Sequence, residues 1–65
     1  MNSQARDNIH KAKESLKNAQ QGLQVAAGQV ENGNIKKQIE TQLTQVGNCL
    51  EECQKIASGL STHKA

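Results

Sequence analysis

Cys49 and Cys53 are the two residues of this 65-residue chain whose type and spacing carry recognisable chemistry. On a helix, a C-x-x-x-C spacing puts both side chains on one face, a turn apart. Two thiolates held this way can grip a soft ion such as Cu(I), which accepts few sulfur ligands, or take part in thiol redox exchange. Zinc asks for four ligands, so His10, His63 or a second chain would have to complete such a site. A bridge between Cys49 and Cys53 would strain the helix, because a disulfide tolerates a narrow range of Cα separations. A cross-chain disulfide at Cys49 is easier to accommodate. The competing reading is packing. Free cysteine is commonly a small buried hydrophobe, and Cys53 and Cys49 both fall in apolar rows described below.

The segment Cys49-Leu50-Glu51-Glu52-Cys53 resembles one motif of the helical cysteine-rich copper-storage proteins, which carry many such motifs along several helices. That resemblance covers five residues and implies Cu(I) held by the two sulfurs. His10 has no acid or nucleophile at a diagnostic spacing, and His63 lies near the C-terminus; both read as solvated histidines. Arg6, His10, Lys11, Lys13 and Lys17, with Lys36 and Lys37, could meet phosphates, since a basic face attracts nucleic acid regardless of sequence. Asp7 and Glu14 interrupt that cluster, and the absence of any aromatic residue leaves nothing for base stacking. A solvated polar face and an RNA-binding hairpin dimer are the two readings of these charges. No phosphate loop, dinucleotide fingerprint, nucleophile elbow or carboxylate pair occurs, so neither an enzyme nor a cofactor is expected.

The elements that must position the thiols are legible in seven-residue rows. Ala5, Ala12, Ala19 and Ala26 form one row of the first half, and Ile9, Leu16, Leu23 and Val30 the next. In the second half the rows are Ile39, Val46, Cys53 and Leu60, then Leu43, Leu50 and Ala57. Alternating spacings of three and four give the 3.5-residue repeat of a supercoiled helical seam. No proline interrupts either half. These rows predict one all-α domain over residues 1–65, an antiparallel two-helix hairpin with an alanine-rich seam. Helix 1 is expected over about 3–31, a turn over 32–34, helix 2 over about 34–60 and a frayed tail, together with Gly59, over 61–65. Ser3 is the expected N-cap of helix 1, Asn32-Gly33 its left-handed C-terminal cap, and Asn34 the N-cap of helix 2.

Folded back at that turn, Ala5 meets Leu60, Ala12 meets Cys53, Ala19 meets Val46 and Ala26 meets Ile39, all with one residue-number sum. Ile9 with Ala57, Leu16 with Leu50 and Leu23 with Leu43 share a sum one higher. Small side chains then oppose large ones in every layer, which allows close approach at native density. Lys13 is expected near Glu52 and Lys17 near Glu51, each pair contributing about 0.2–1 kcal/mol and serving mainly to fix register. Gly22, Gly28, Gly47 and Gly59 are either weak points of the helices or sites of close backbone approach.

A chain this short buries only about 60% of its unfolded surface and usually needs a staple or a second copy. Ile35, Cys49 and Ile56 add a flanking row to helix 2, so two hairpins covering those flanks are expected to make a homodimeric four-helix bundle. The net charge of +2 marks no basic or acidic block. No apolar stretch is long enough to span a bilayer, and Met1-Asn2-Ser3-Gln4 is unlike a secretory leader; the expected location is cytoplasmic.

From Ser15 onward the chain resembles a short helical domain of unknown function from spore-forming Firmicutes. The residues that carry this are Ser15-Leu16-Lys17, Ala19-Gln20, Leu23, Ala27, Gln29, Asn32 and Lys36-Lys37, in the same ungapped order. The resemblance implies a small sporulation-associated helical protein with no catalytic residues to carry over. Taken together, the expectation is a non-enzymatic interaction or structural protein that presents Gln20, Gln21, Gln24, Gln38, Gln42 and Gln45 to a protein partner. The alternatives are Cu(I) or thiol-redox handling by Cys49 and Cys53, and RNA binding through Lys11, Lys13 and Lys17.

Overall fold

The computed structural model describes residues 2–62 and contains two helices, α1 (Asn2–Gln29) and α2 (Gly33–Thr62). They fold back on each other as an all-α hairpin about 51 Å long and 14 by 11 Å across, measured at Cα atoms. The direction and register follow from contacts across the seam. Lys13 Nζ donates a hydrogen bond to Gln54 Oε1, and Gln20 reaches the open side of Gly47. Those two pairs share one residue-number sum, as facing positions in an antiparallel pair must.

The turn is made by one side chain. Asn32 Oδ1 accepts from the backbone N–H of Asn34 and of Ile35, both at 3.0 Å. Its own carbonyl accepts from Lys36 N at 2.9 Å, the first bond of α2. Asn32 is therefore the N-cap of α2, satisfying two of the orphan donors of its first turn. This corrects three expectations. Asn34 is not the cap but a first-turn donor to it. Gly33 is the first helical residue, with no glycine taking a positive φ, so the left-handed cap is absent. Helix α1 stops at Gln29, with a last bond from Val30 N to Ala26 O at 3.1 Å, which leaves residues 30–32 as the turn.

The other ends differ in the same direction. Helix α1 already includes Asn2, so Ser3 lies inside the first turn instead of capping it; nothing among residues 2–5 opposes helix. Helix α2 runs through Gly59 to Thr62, because half-buried Leu60 holds its last turn against α1. The remainder of the expected frayed tail, including His63, lies outside the described residues.

The largest correction concerns the alanine row. Ala5, Ala12 and Ala19 are exposed, and only Ala26 is half-buried. The seam of α1 pairs the row Ile9, Leu16, Leu23 and Val30 with the row on its other side: Arg6, Lys13 and Gln20, all half-buried, and Ala27, buried. Relative to expectation α1 is rolled by one heptad row, about 50°. The physical reason lies in side-chain stems. Lys and Arg lay several methylenes along an apolar surface while their charged ends stay wet, and each buried methylene contributes about 0.8 kcal/mol. An alanine methyl offers one. The roll also carries Lys13 to Gln54, and the expected Lys13–Glu52 and Lys17–Glu51 pairs give way to local ones. Glu52 meets Lys55 at 3.5 Å and Glu14 meets Lys17 at 4.0 Å, each three residues apart on one helix.

Burial is correspondingly thin. Among the described residues Ala27, Cys53 and Ala57 are buried, and no large side chain is fully enclosed. A Cβ added at Gly22, Gly28 or Gly59 would meet nothing within 4 Å, and at Gly47 only the Gln20 amide at 4.0 Å. These glycines are weak points in the helices, not places where backbones touch. Replacing Gly22 by Ala is expected to raise the unfolding free energy by about 1 kcal/mol. Asn32→Ala is expected to lower it by about 1 kcal/mol while Asn34→Ala leaves it nearly unchanged. Urea denaturation followed by helical circular dichroism, at fixed protein concentration, reads all three; an Asn34→Ala loss as large as that of Asn32→Ala would reject the cap assignment.

Candidate functional site

Helix α2 carries both cysteines as free thiols, one turn apart, in unequal settings. Cys53 is buried in the seam, whereas Cys49 is exposed on the row beside it. The packing reading therefore holds for Cys53 and is corrected for Cys49, whose row has no covering element within the hairpin. The facing residue is also corrected. With α1 rolled, Cys53 lies near Lys13 and not against Ala12, which is exposed.

Burial pushes the Cys53 thiol above its ordinary pKa, the Cys49 thiol beside it adds to the rise, and a hydrogen bond from the Cys53 S–H to the Cys49 sulfur adds again. The Lys13 ammonium pulls the other way, and Glu52 makes a small contribution upward. The sum favours the protonated thiol. A thiol kept protonated is a poor nucleophile and a poor metal ligand, since both tasks belong to the thiolate. Cys49 and Cys53 would be the sulfur donors for a soft ion, and Cys53 would have to lose its proton against its surroundings to serve. Among the described residues no third His, Cys, Asp or Glu joins them in a group able to hold a metal ion.

The basic residues do not gather on one free face. Arg6 and Lys13 are half-buried along the seam, the Lys13 ammonium is engaged by Gln54, and Lys17 sits beside Glu14. Lys11, Lys36 and Lys37 are exposed, as is His10. Lys13 is the residue that sequence reasoning misplaced most. Its signal was present, since Arg6, Lys13, Gln20 and Ala27 form a heptad row as regular as the alanines, with longer stems.

Among the described residues there is no cavity and no helix long and apolar enough to cross a membrane. The chain matches no protein-family model, no curated protein and no solved structure.

The raised Cys53 pKa has a defined sign for stability. In the unfolded chain the thiol ionises at its ordinary pKa, while the folded chain still holds the proton. Stability from this group is therefore complete below that pH and declines as pH rises through it toward the folded value. Thermal melts from about pH 8 to about pH 10 should show a falling midpoint, with a shallower fall in Cys53→Ala. An identical slope in the two proteins would assign the loss to other groups.

Proposed function

We propose that this protein is a small non-enzymatic interaction or structural protein whose working form is a homodimer, two hairpins joined as a four-helix bundle. The observation that carries this reading is the meagre interior. With Ala27, Cys53 and Ala57 buried among the described residues, one hairpin has less apolar burial than a chain of this size needs to stand alone. The lack of a cavity among the described residues supports a role in surfaces over one in catalysis, because active sites are concave and exclude water. Exposed glutamines at Gln21, Gln24, Gln38 and Gln45 remain free on the outside of such a bundle to meet a protein partner. A sporulation setting is part of the proposal and rests on the resemblance of residues 15–37.

Sedimentation equilibrium of the full chain is expected to give twice the chain mass of 7.0 kDa. Because only the folded dimer would be stable, the thermal midpoint should climb with protein concentration. A monomer mass at about 100 μM, with a midpoint independent of concentration, would reject the reading.

A further inference from the structure

The two long edges of the hairpin differ in kind. In an antiparallel pair, the row flanking Ile9, Leu16 and Leu23 on one helix comes to the same edge as the row flanking Ile39, Val46 and Cys53 on the other. The roll of α1 thus sets Ala5, Ala12, Ala19 and Ala26 alongside Ile35, Cys49 and Ile56. Ile35 and Ile56 are each 48% exposed, and among the described residues Gln42 is the single amide or charged side chain in these two rows. The opposite edge, where Lys13 meets Gln54, presents His10, Lys17 and Gln24 from α1 and Glu40, Gly47 and Gln54 from α2. Among the described residues one edge is uncharged and, apart from Gln42, apolar; the other carries charged and polar side chains on both helices. A continuous apolar patch bounded by polar surface is the mark of an interaction site.

Resting on the homodimer reading, we propose that this alanine–isoleucine edge is the surface by which two copies of the chain dock. Area is the first argument for a second copy. The chain exposes 4941 Å², whereas a compact monomer of its mass would expose roughly 4,000 Å². The excess, roughly 900 Å², is close to the share of about 800 Å² that each partner covers in a standard interface. A face of 51 by 14 Å at Cα level spans about 700 Å² before the relief of its side chains is added, which is the scale of that share. Self-complementarity is the second argument. A two-fold axis along the hairpin lays the isoleucine row of each copy over the alanine row of the other, so large side chains meet small ones in both halves at once. No charge on either row opposes the contact, in keeping with the depletion of charge at interface centres.

Sedimentation of the full chain and its variants tests the edge. Ala19→Glu and Ile56→Glu are expected to weaken the dimer by more than about a hundredfold, because each buries an unpaired carboxylate. Gln24→Glu adds the same charge on the polar edge and should change it by no more than about threefold. Both face residues are exposed in the hairpin, and helical circular dichroism checks that the helices persist. Alkylation of wild-type Cys49, located by peptide mass, gives a readout without mutation: its rate should fall about tenfold or more as concentration rises through the dimer range. A dimer that tolerates Ala19→Glu as well as Gln24→Glu, or a Cys49 rate that ignores concentration, overturns this interface while leaving the homodimer intact. A wild-type chain that stays monomeric overturns both and assigns the edge to another protein.

Discussion

A scarcity of apolar bulk governs this molecule. Each layer of the seam holds about one branched aliphatic side chain from each helix, and no aromatic ring is present to widen it. Most of those aliphatics are only half covered, and the buried residues among those described, Ala27, Cys53 and Ala57, are small. Under that constraint the stems of Arg6, Lys13 and Gln20 become the most useful remaining hydrocarbon. Rolling α1 toward them brings methylenes onto the seam and leaves the alanine methyls outside. The charged end of Lys13 keeps a hydrogen bond to Gln54, so burying the stem does not strand the ammonium. The same roll explains why Cys53 is flanked by a lysine and why its thiol, despite that neighbour, stays protonated through burial and its contact with Cys49.

The hairpin, its antiparallel sense and the inward placing of Ile9, Leu16 and Leu23 on one helix and of Leu43, Leu50 and Ala57 on the other could be read from spacing alone. The roll could not. Rows 5, 12, 19, 26 and 6, 13, 20, 27 flank the leucines equally, and a whole-residue view of hydropathy ranks alanine inside and lysine outside. It cannot see that a lysine is apolar for most of its length. The turn shows a similar ambiguity. Asn32-Gly33-Asn34 contains two good capping residues around a residue suited to either helix end, and only the backbone donors of Asn34 and Ile35 reveal that Asn32 is the acceptor. Of the thiol pair, Cys53 was legible because it sits in a seam row. The exposure of Cys49 depended on what lies across from its flank, which is again a matter of roll.

Alanine on a helix surface needs no special explanation, because alanine is the best helix former, and four of them on one edge could be read as propensity alone. The residues across from them resist that account. Isoleucine is a poorer helix former than the lysines, glutamines and glutamates common on this surface, and an exposed isoleucine gains no burial; Val25, 55% exposed, stands alone on the outer side of α1, whereas the two isoleucines share a row. Ile35 and Ile56 nevertheless stand three heptads apart on the same edge, with Gln42 and Cys49 between them. Propensity explains the alanines and not the isoleucines; core packing explains neither, since neither row is in the core. Contact with a second surface explains both, because it is the one arrangement in which small residues on one helix and bulky ones on its neighbour are needed together. The edge on which the hairpin is least finished is therefore the edge on which its sequence is most particular.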